Sequence, residues 1–198
     1  ILQENEECTR LLIDAGADIN VKGPDGMSPL ALAIRKGQKD VVKAMLKRKP
    51  KVQGAQPLTE AIMHDMPEYV APLLEAGAWT DPCDGKVLAP LLASILKKDQ
   101  ESFRLVLNAI VADGKTDLEV SSEYFYHDKE GNHLTPLTLA IDLGQDDVVD
   151  ALLEAGANTK RMGVDLCYPV ELAVRQGKNK YVKKLLPYCK DDKNICAR

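Results

Sequence analysis

Five prolines, Pro29, Pro57, Pro90, Pro136 and Pro169, head one recurring pattern. Each is followed by Leu30, Leu58, Leu91, Leu137 or Val170. Four residues after each proline stands a small side chain: Ala33, Ala61, Ser94, Ala140, Ala173. The next position is β-branched and apolar: Ile34, Ile62, Ile95, Ile141, Val174. Further on come apolar pairs: Met45-Leu46, Leu73-Leu74, Val106-Leu107, Leu152-Leu153 and Leu185-Leu186. The spacings between prolines are 28, 33, 46 and 33, a period of 33 with one deletion of five and one insertion of thirteen. Leu12-Ile13 and Gly16-Ala17 fit the same frame without a proline. A unit this small cannot bury its apolar face alone, so the chain must stack its units.

The physics of one unit follows from its residues. Ser28 and Thr135 can cap a helix N-terminus, and Pro at the first helical position gives up no useful N–H. The first helix is short and stops at Gly37, Gly144 or Gly177, where a left-handed residue costs little. A second helix follows, as over Lys39 to Lys47 with Val42, Met45 and Leu46 on one side. It ends at Gly16-Ala17, Gly77-Ala78 or Gly156-Ala157. Asp25-Gly26 and Asp84-Gly85 sit midway to the next proline, where a tight turn is expected. Pro72 falls inside a second helix and predicts a kink costing roughly 3 kcal/mol. The expected architecture is all-α: a solenoid of helix-turn-helix units joined by short β-turn or hairpin connections. One domain spans 1–198, with a partial repeat over 1–20 and repeats at about 21–50, 51–78, 79–111, 125–157 and 158–190. The insertion falls at about 112–127, and the deletion between Lys49 and Pro57 predicts a stunted turn.

Composition narrows the function. With 45% hydrophobic residues the chain is not a disordered one. A net charge of −4 argues against a general nucleic-acid binder. That small total hides segregation: residues 35–51 carry +7, 110–160 carry −8 and 161–198 carry +5. Lys39, Lys43 and Lys47 form one helical stripe, and Asp146, Asp150 and Glu154 another. Both are expected to be solvated outer faces, with steering of a charged partner as the alternative. The longest nearly apolar run, Val87 to Leu96, is about half of a membrane span. No signal segment opens the chain, which does not begin with Met. Cys8, Cys83, Cys167, Cys189 and Cys196 are odd in number, dispersed and without a CxxC pair. That argues for reduced thiols in a cytoplasmic compartment rather than a disulfide framework or zinc site. His127 and His133 lack a third ligand at fixed spacing, and no phosphate loop, nucleophile elbow or catalytic carboxylate pair is present. The chain is therefore expected to have no catalytic, cofactor or metal site and no small-molecule substrate.

The runs Ser28-Pro29-Leu30-Ala31-Leu32-Ala33-Ile34 and Thr135-Pro136-Leu137-Thr138-Leu139-Ala140-Ile141, with Leu-Leu-Glu-Ala-Gly-Ala at 73–78 and 152–157, carry a resemblance. The chain resembles the ankyrin-repeat family over nearly its whole length. It departs from the pattern where the family's histidine gives way to Ala31, Thr59, Leu92, Thr138 and Glu171, which predicts weaker hydrogen bonding between turns. Lys49-Pro50 and Ile110-Val111 replace Gly-Ala, so those two helix ends are expected to differ.

The resemblance implies a non-enzymatic module that binds a protein or peptide on a concave face of turn tips and first-helix ends. By frame, that face comprises Met27, Arg35, Lys36, Met63, His64, Leu88, Leu96, Lys97, Leu134, Asp142, Leu143, Cys167, Arg175 and Gln176. Tyr124, Phe125 and Tyr126 place three of the chain's nine aromatic residues together in the insertion. They read either as a binding loop or as rings folded back over the stack. Asn20 resembles the asparagine that hydroxylases modify in some ankyrin repeats. Two alternatives remain: a regulatory segment acting in cis on an enzyme or channel domain outside the chain, or contact with anionic lipid or nucleic acid through 35–51.

Overall fold

The computed structural model describes residues 6–24, 26–52, 54, 56–78, 89–113 and 134–188. A leading helix, α1 (Glu6–Asp14), is followed by five helix pairs. They are α2 (Pro29–Arg35) with α3 (Lys39–Lys47), α4 (Gln56–Met63) with α5 (Val70–Glu75), and α6 (Pro90–Lys97) with α7 (Gln100–Ala112). Then come α8 (Pro136–Leu143) with α9 (Asp146–Glu154), and α10 (Pro169–Arg175) with α11 (Asn179–Leu185). The described residues contain no strand, so the solenoid is all-α. Two connections close as tight turns in the same frame position. The Gly23 N–H donates to the Met27 carbonyl at 2.8 Å, and the Gly163 N–H to the Cys167 carbonyl at 3.0 Å.

The expected caps form. The Ser28 hydroxyl accepts the Ala31 N–H at 3.2 Å, and Thr135 does the same for Thr138 at 3.2 Å. Every first helix ends in a left-handed residue eight places after its proline. Gly37, Gly144 and Gly177 supply three of these, but Asp65 and Lys98 supply the others at φ 56°. Lys49 likewise holds φ 48° where its sister repeats have glycine, so that helix end matches its sisters in backbone after all. The Ile110-Val111 end does differ: α7 runs through it to Ala112. The kink expected at Pro72 is absent. A 3-10 turn over Pro67–Tyr69 replaces the first α turn, and α5 begins only at Val70. Pro72 thus sits third in the helix, where an N–H would have no partner to lose.

The first helices form the spine, α2 on α4 on α6 on α8 on α10. The small residues of the frame sit where these helices touch: Ala33, Ala61, Ser94, Ala140 and Ala173 are all buried. Ile34, Ile62, Ile95 and Ile141 are buried between neighbouring repeats, but Val174 is 61% exposed. No further first helix is described after α10 to cover it. The leading helix shows the mirror effect. Ile13 is buried, in a helix that packs on α3, while Leu12 is 59% exposed because no described first helix faces it.

The breaks in period do not break the stack. Four of the thirteen inserted residues lengthen α7 and the rest lie in the connection that follows, yet α6 packs on α8. The deletion leaves only residues 48–55 between α3 and α4. Elsewhere, as over 15–28, the connection runs to about 14 residues, so the stunted turn is present.

Candidate interaction face

The ends of the first helices lie side by side along the spine, and polar pairs tie each to the next. The Arg35 guanidinium meets Glu60 of the following repeat in a forked pair, Nη2 to Oε1 at 2.5 Å and Nε to Oε2 at 3.2 Å. Glu60 also holds the His64 Nε2 at 3.2 Å. The Lys97 ammonium pairs with Asp65 of the preceding repeat at 2.7 Å. Gln176 donates to the Asp142 carboxylate at 2.6 Å, again one repeat back. Arg175 lies 3.4 Å from Asp165 and 3.6 Å from the Cys167 sulfur. Exposed ion pairs of this kind contribute about 0–1 kcal/mol each, so their main effect is to fix where the side chains point.

The structure brings most of the frame-derived residues onto this face. Arg35, Lys36, Met63, His64, Leu96, Arg175 and Gln176 are exposed, and Lys97, Asp142, Leu143 and Cys167 half-buried. Met27 and Leu134 are corrections. Both are buried, because at these two positions, two residues before Pro29 and Pro136, the chain turns inward under the helix start, and they offer almost no surface. Leu88, Tyr124, Phe125 and Tyr126 lie outside the described residues, as do His127 and His133.

The second helices carry a cross-repeat pattern that the sequence reading missed. The acidic stripe of α9 is not simply solvated. Lys180 pairs with Asp146 at 2.5 Å, Lys184 pairs with Asp150, and the buried Tyr181 hydroxyl donates to Asp146. The hydrogen bonds from Lys180 and Tyr181 hold the Asp146 carboxyl below its usual range. Burial first, and then the hydrogen bond to Asp146, push the Tyr181 phenol well above its ordinary value. Lys39 and Glu68 pair similarly at 2.7 Å, which raises the lysine and lowers the carboxylate. An acidic residue followed by a lysine 34 places later was the available signal. A second device is the residue nine places after Pro136 and after Pro169. Gln145 donates to the Ile95 carbonyl at 2.7 Å, and Lys178 to Ile141 and Asp142 carbonyls at 2.6 and 2.8 Å. Each closes off the end of the preceding first helix.

Ties between turns also survive the loss of the histidine, contrary to expectation, at Thr138. Its Oγ1 accepts the Val164 N–H of the next turn at 3.2 Å and lies 2.8 Å from the Thr135 hydroxyl. Gly163 approaches so closely that a Cβ there would stand 1.9 Å from this oxygen. Neither Cys8 nor Cys167 is in a disulfide. Among the described residues no cluster of His, Cys, Asp and Glu could hold a metal ion, and no helix is long and apolar enough to cross a membrane.

A family model described as ankyrin repeats in three copies matches residues 1–84, and a single ankyrin-repeat model matches 132–162. The chain belongs to the ankyrin-repeat family. Ankyrin repeat domain-containing protein 13C of Xenopus tropicalis is 34% identical over 101 residues, which is 50% of this chain and 19% of that protein. The Homo sapiens protein of the same name is also 34% identical over 101 residues, covering 18% of its length. The ankyrin chain thus spans about a fifth of the curated relatives it matches. The crystal structure of the human ASB11 ankyrin repeat domain superposes with a TM-score of 0.65 over 99% of this chain and 86% of that one, at 22% identity. That likeness extends the ankyrin fold over the whole array. Ankyrin repeats generally mediate protein–protein interaction.

Proposed function

We propose that this chain is a non-enzymatic interaction module that binds a protein or peptide along the concave side of the ankyrin stack, at the ends of the first helices. The observation that carries the reading is the row of exposed Lys36, Met63, His64 and Leu96 between side chains pinned by cross-repeat pairs. Apolar anchors beside fixed charges are what a protein partner needs, since anchors supply affinity and charges supply register. Pinning lowers the ordering cost of binding. Among the described residues no side-chain hydrogen bond or ion pair is made by Lys36, Met63 or Leu96, so changing them breaks none of the cross-repeat pairs. In Lys36→Glu/Met63→Ala/Leu96→Ala, the affinity of a captured partner is expected to fall roughly tenfold or more, with the circular dichroism spectrum and melting temperature unchanged. Full affinity in that variant and in Arg35→Glu sets this face aside.

A second reading has the array act in cis on another domain. It is favoured by the relatives, in which the matched region is about a fifth of a much longer chain. Binding of the array to separately expressed remaining domains of a full-length protein, with a change in their activity, would support it.

A further inference from the structure

The five-residue deletion leaves a notch. With only residues 48–55 between α3 and α4, the connection is too short to cover the flank of the turn before it. The Lys51 N–H donates to Asn20 Oδ1 at 2.8 Å, which draws the short connection against the base of that turn. Above this contact is a cleft of about 80 Å³, lined by residues of both connections and the starts of α2 and α4. Buried Ile19, Leu30 and Val52 give it an apolar floor, and exposed Lys22 and Lys51 stand at its rim.

The size limits what fits. Ligand pockets for cofactors and small substrates run to about 300–1,000 Å³. This cleft is about half the size of a cavity that admits benzene, enough for one aliphatic side chain. The charge limits the occupant further. Among the described residues neither Lys22 nor Lys51 has an ion-pair partner, and Lys51 ends a stretch, 35–51, of formal charge +7 in which Arg35 and Lys39 are already paired with Glu60 and Glu68. The neighbouring carboxylate, Asp18, already accepts the Asn20 N–H at 2.9 Å. Lys180 and Lys184 of α11 present the opposite case, since both are neutralised within the fold.

We infer that the notch is a docking point for an acidic peptide segment of a partner protein, with one aliphatic side chain seated on Ile19, Leu30 and Val52 and flanking carboxylates on Lys22 and Lys51. The inference rests on the interaction-module reading but uses a different surface from the first-helix ends.

Fluorescence anisotropy with a labelled eleven-residue peptide of Asp and Glu around one central Leu tests it. Binding should weaken about tenfold when the Leu becomes Gly, as expected for one side chain leaving an apolar pocket. It should weaken by at least as much in Lys22→Glu and in Lys51→Glu, each made singly, and stay within about twofold in Lys183→Glu, an equal charge change at the other end of the array. Absence of binding, equal binding of the Leu and Gly peptides, or an equal loss in Lys183→Glu overturns the inference. So does tighter binding to phosphatidylserine vesicles or to a 20-nucleotide DNA than to the Leu peptide. The Lys36, Met63 and Leu96 variant leaves the notch intact, so failure of one site is distinguishable from failure of the other.

Discussion

Gly163 is the position where the smallest change should have the largest effect. Replacing it with Ala puts a Cβ 1.9 Å from Thr138 Oγ1 and 2.8 Å from both Thr138 Cβ and Cγ2. Thr138 cannot yield easily: it is fully buried and its hydroxyl is engaged by Thr135 and by the Val164 N–H. Either the 163–167 turn lifts off α8 or the threonine rotates and gives up those bonds. Overpacking of this kind costs about 1–3 kcal/mol. Each hydrogen bond lost adds about 1 kcal/mol, for a total of roughly 3 kcal/mol. In a protein of this size a kcal/mol lowers the melting temperature by about 2–4 °C, so a drop of about 6–12 °C is expected. Urea denaturation of Gly163→Ala, Thr138→Ala and the double variant measures it. Thr138→Ala removes two of the three clashing atoms, so the double variant should be less destabilised than the sum of the singles by at least about 1 kcal/mol. A Gly163→Ala protein within about 0.5 kcal/mol of wild type, or strict additivity, refutes the argument.

Lys98 holds a left-handed conformation that disfavours any residue with a Cβ. Lys98→Gly should therefore stabilise the array by about 1 kcal/mol, read by chemical denaturation. Ile141→Ala should cost about 3 kcal/mol and Val174→Ala under about 0.5 kcal/mol, because one residue is buried between repeats and its frame equivalent is exposed. Asp146 has a folded pKa below its unfolded one, so its contribution is complete above the unfolded value and is lost as pH falls through the folded one. The melting temperatures of wild type and Asp146→Asn should accordingly converge as pH drops below the ordinary carboxylate range. A gap that stays constant down to pH 3 would remove the pairing argument.

The stack was legible in the sequence because its signals are local and repeated. Pro29, Ala33, Ile34 and Gly37 each act within one unit, and five copies of the frame average out substitutions. What escaped the reading depends on neighbours. Val174 stands in the same frame position as Ile141 and differs in having no described first helix stacked beyond it. Asp65 and Lys98 take the glycine conformation because the helix they end is held by its neighbours, which outweighs their intrinsic preference. The α9 stripe looked solvated because its partners stand a full period away on α11. On the interaction face, exposure could be assigned wherever the frame put a residue at a helix end, as with Lys36 and Met63. It failed at Met27 and Leu134, where the chain turns inward before the helix starts.

The contact of α6 with α8 has a consequence for how such arrays change over time. The two helices meet although about 23 residues separate α7 from α8. Closing a loop costs only about 0.6 kcal/mol more for each doubling of its length. Segment length at that point is therefore almost invisible to stability. Sequence can be gained, lost or exchanged between these repeats while the helices on either side keep their contacts, so new binding specificity can be acquired there without passing through an unfolded ancestor.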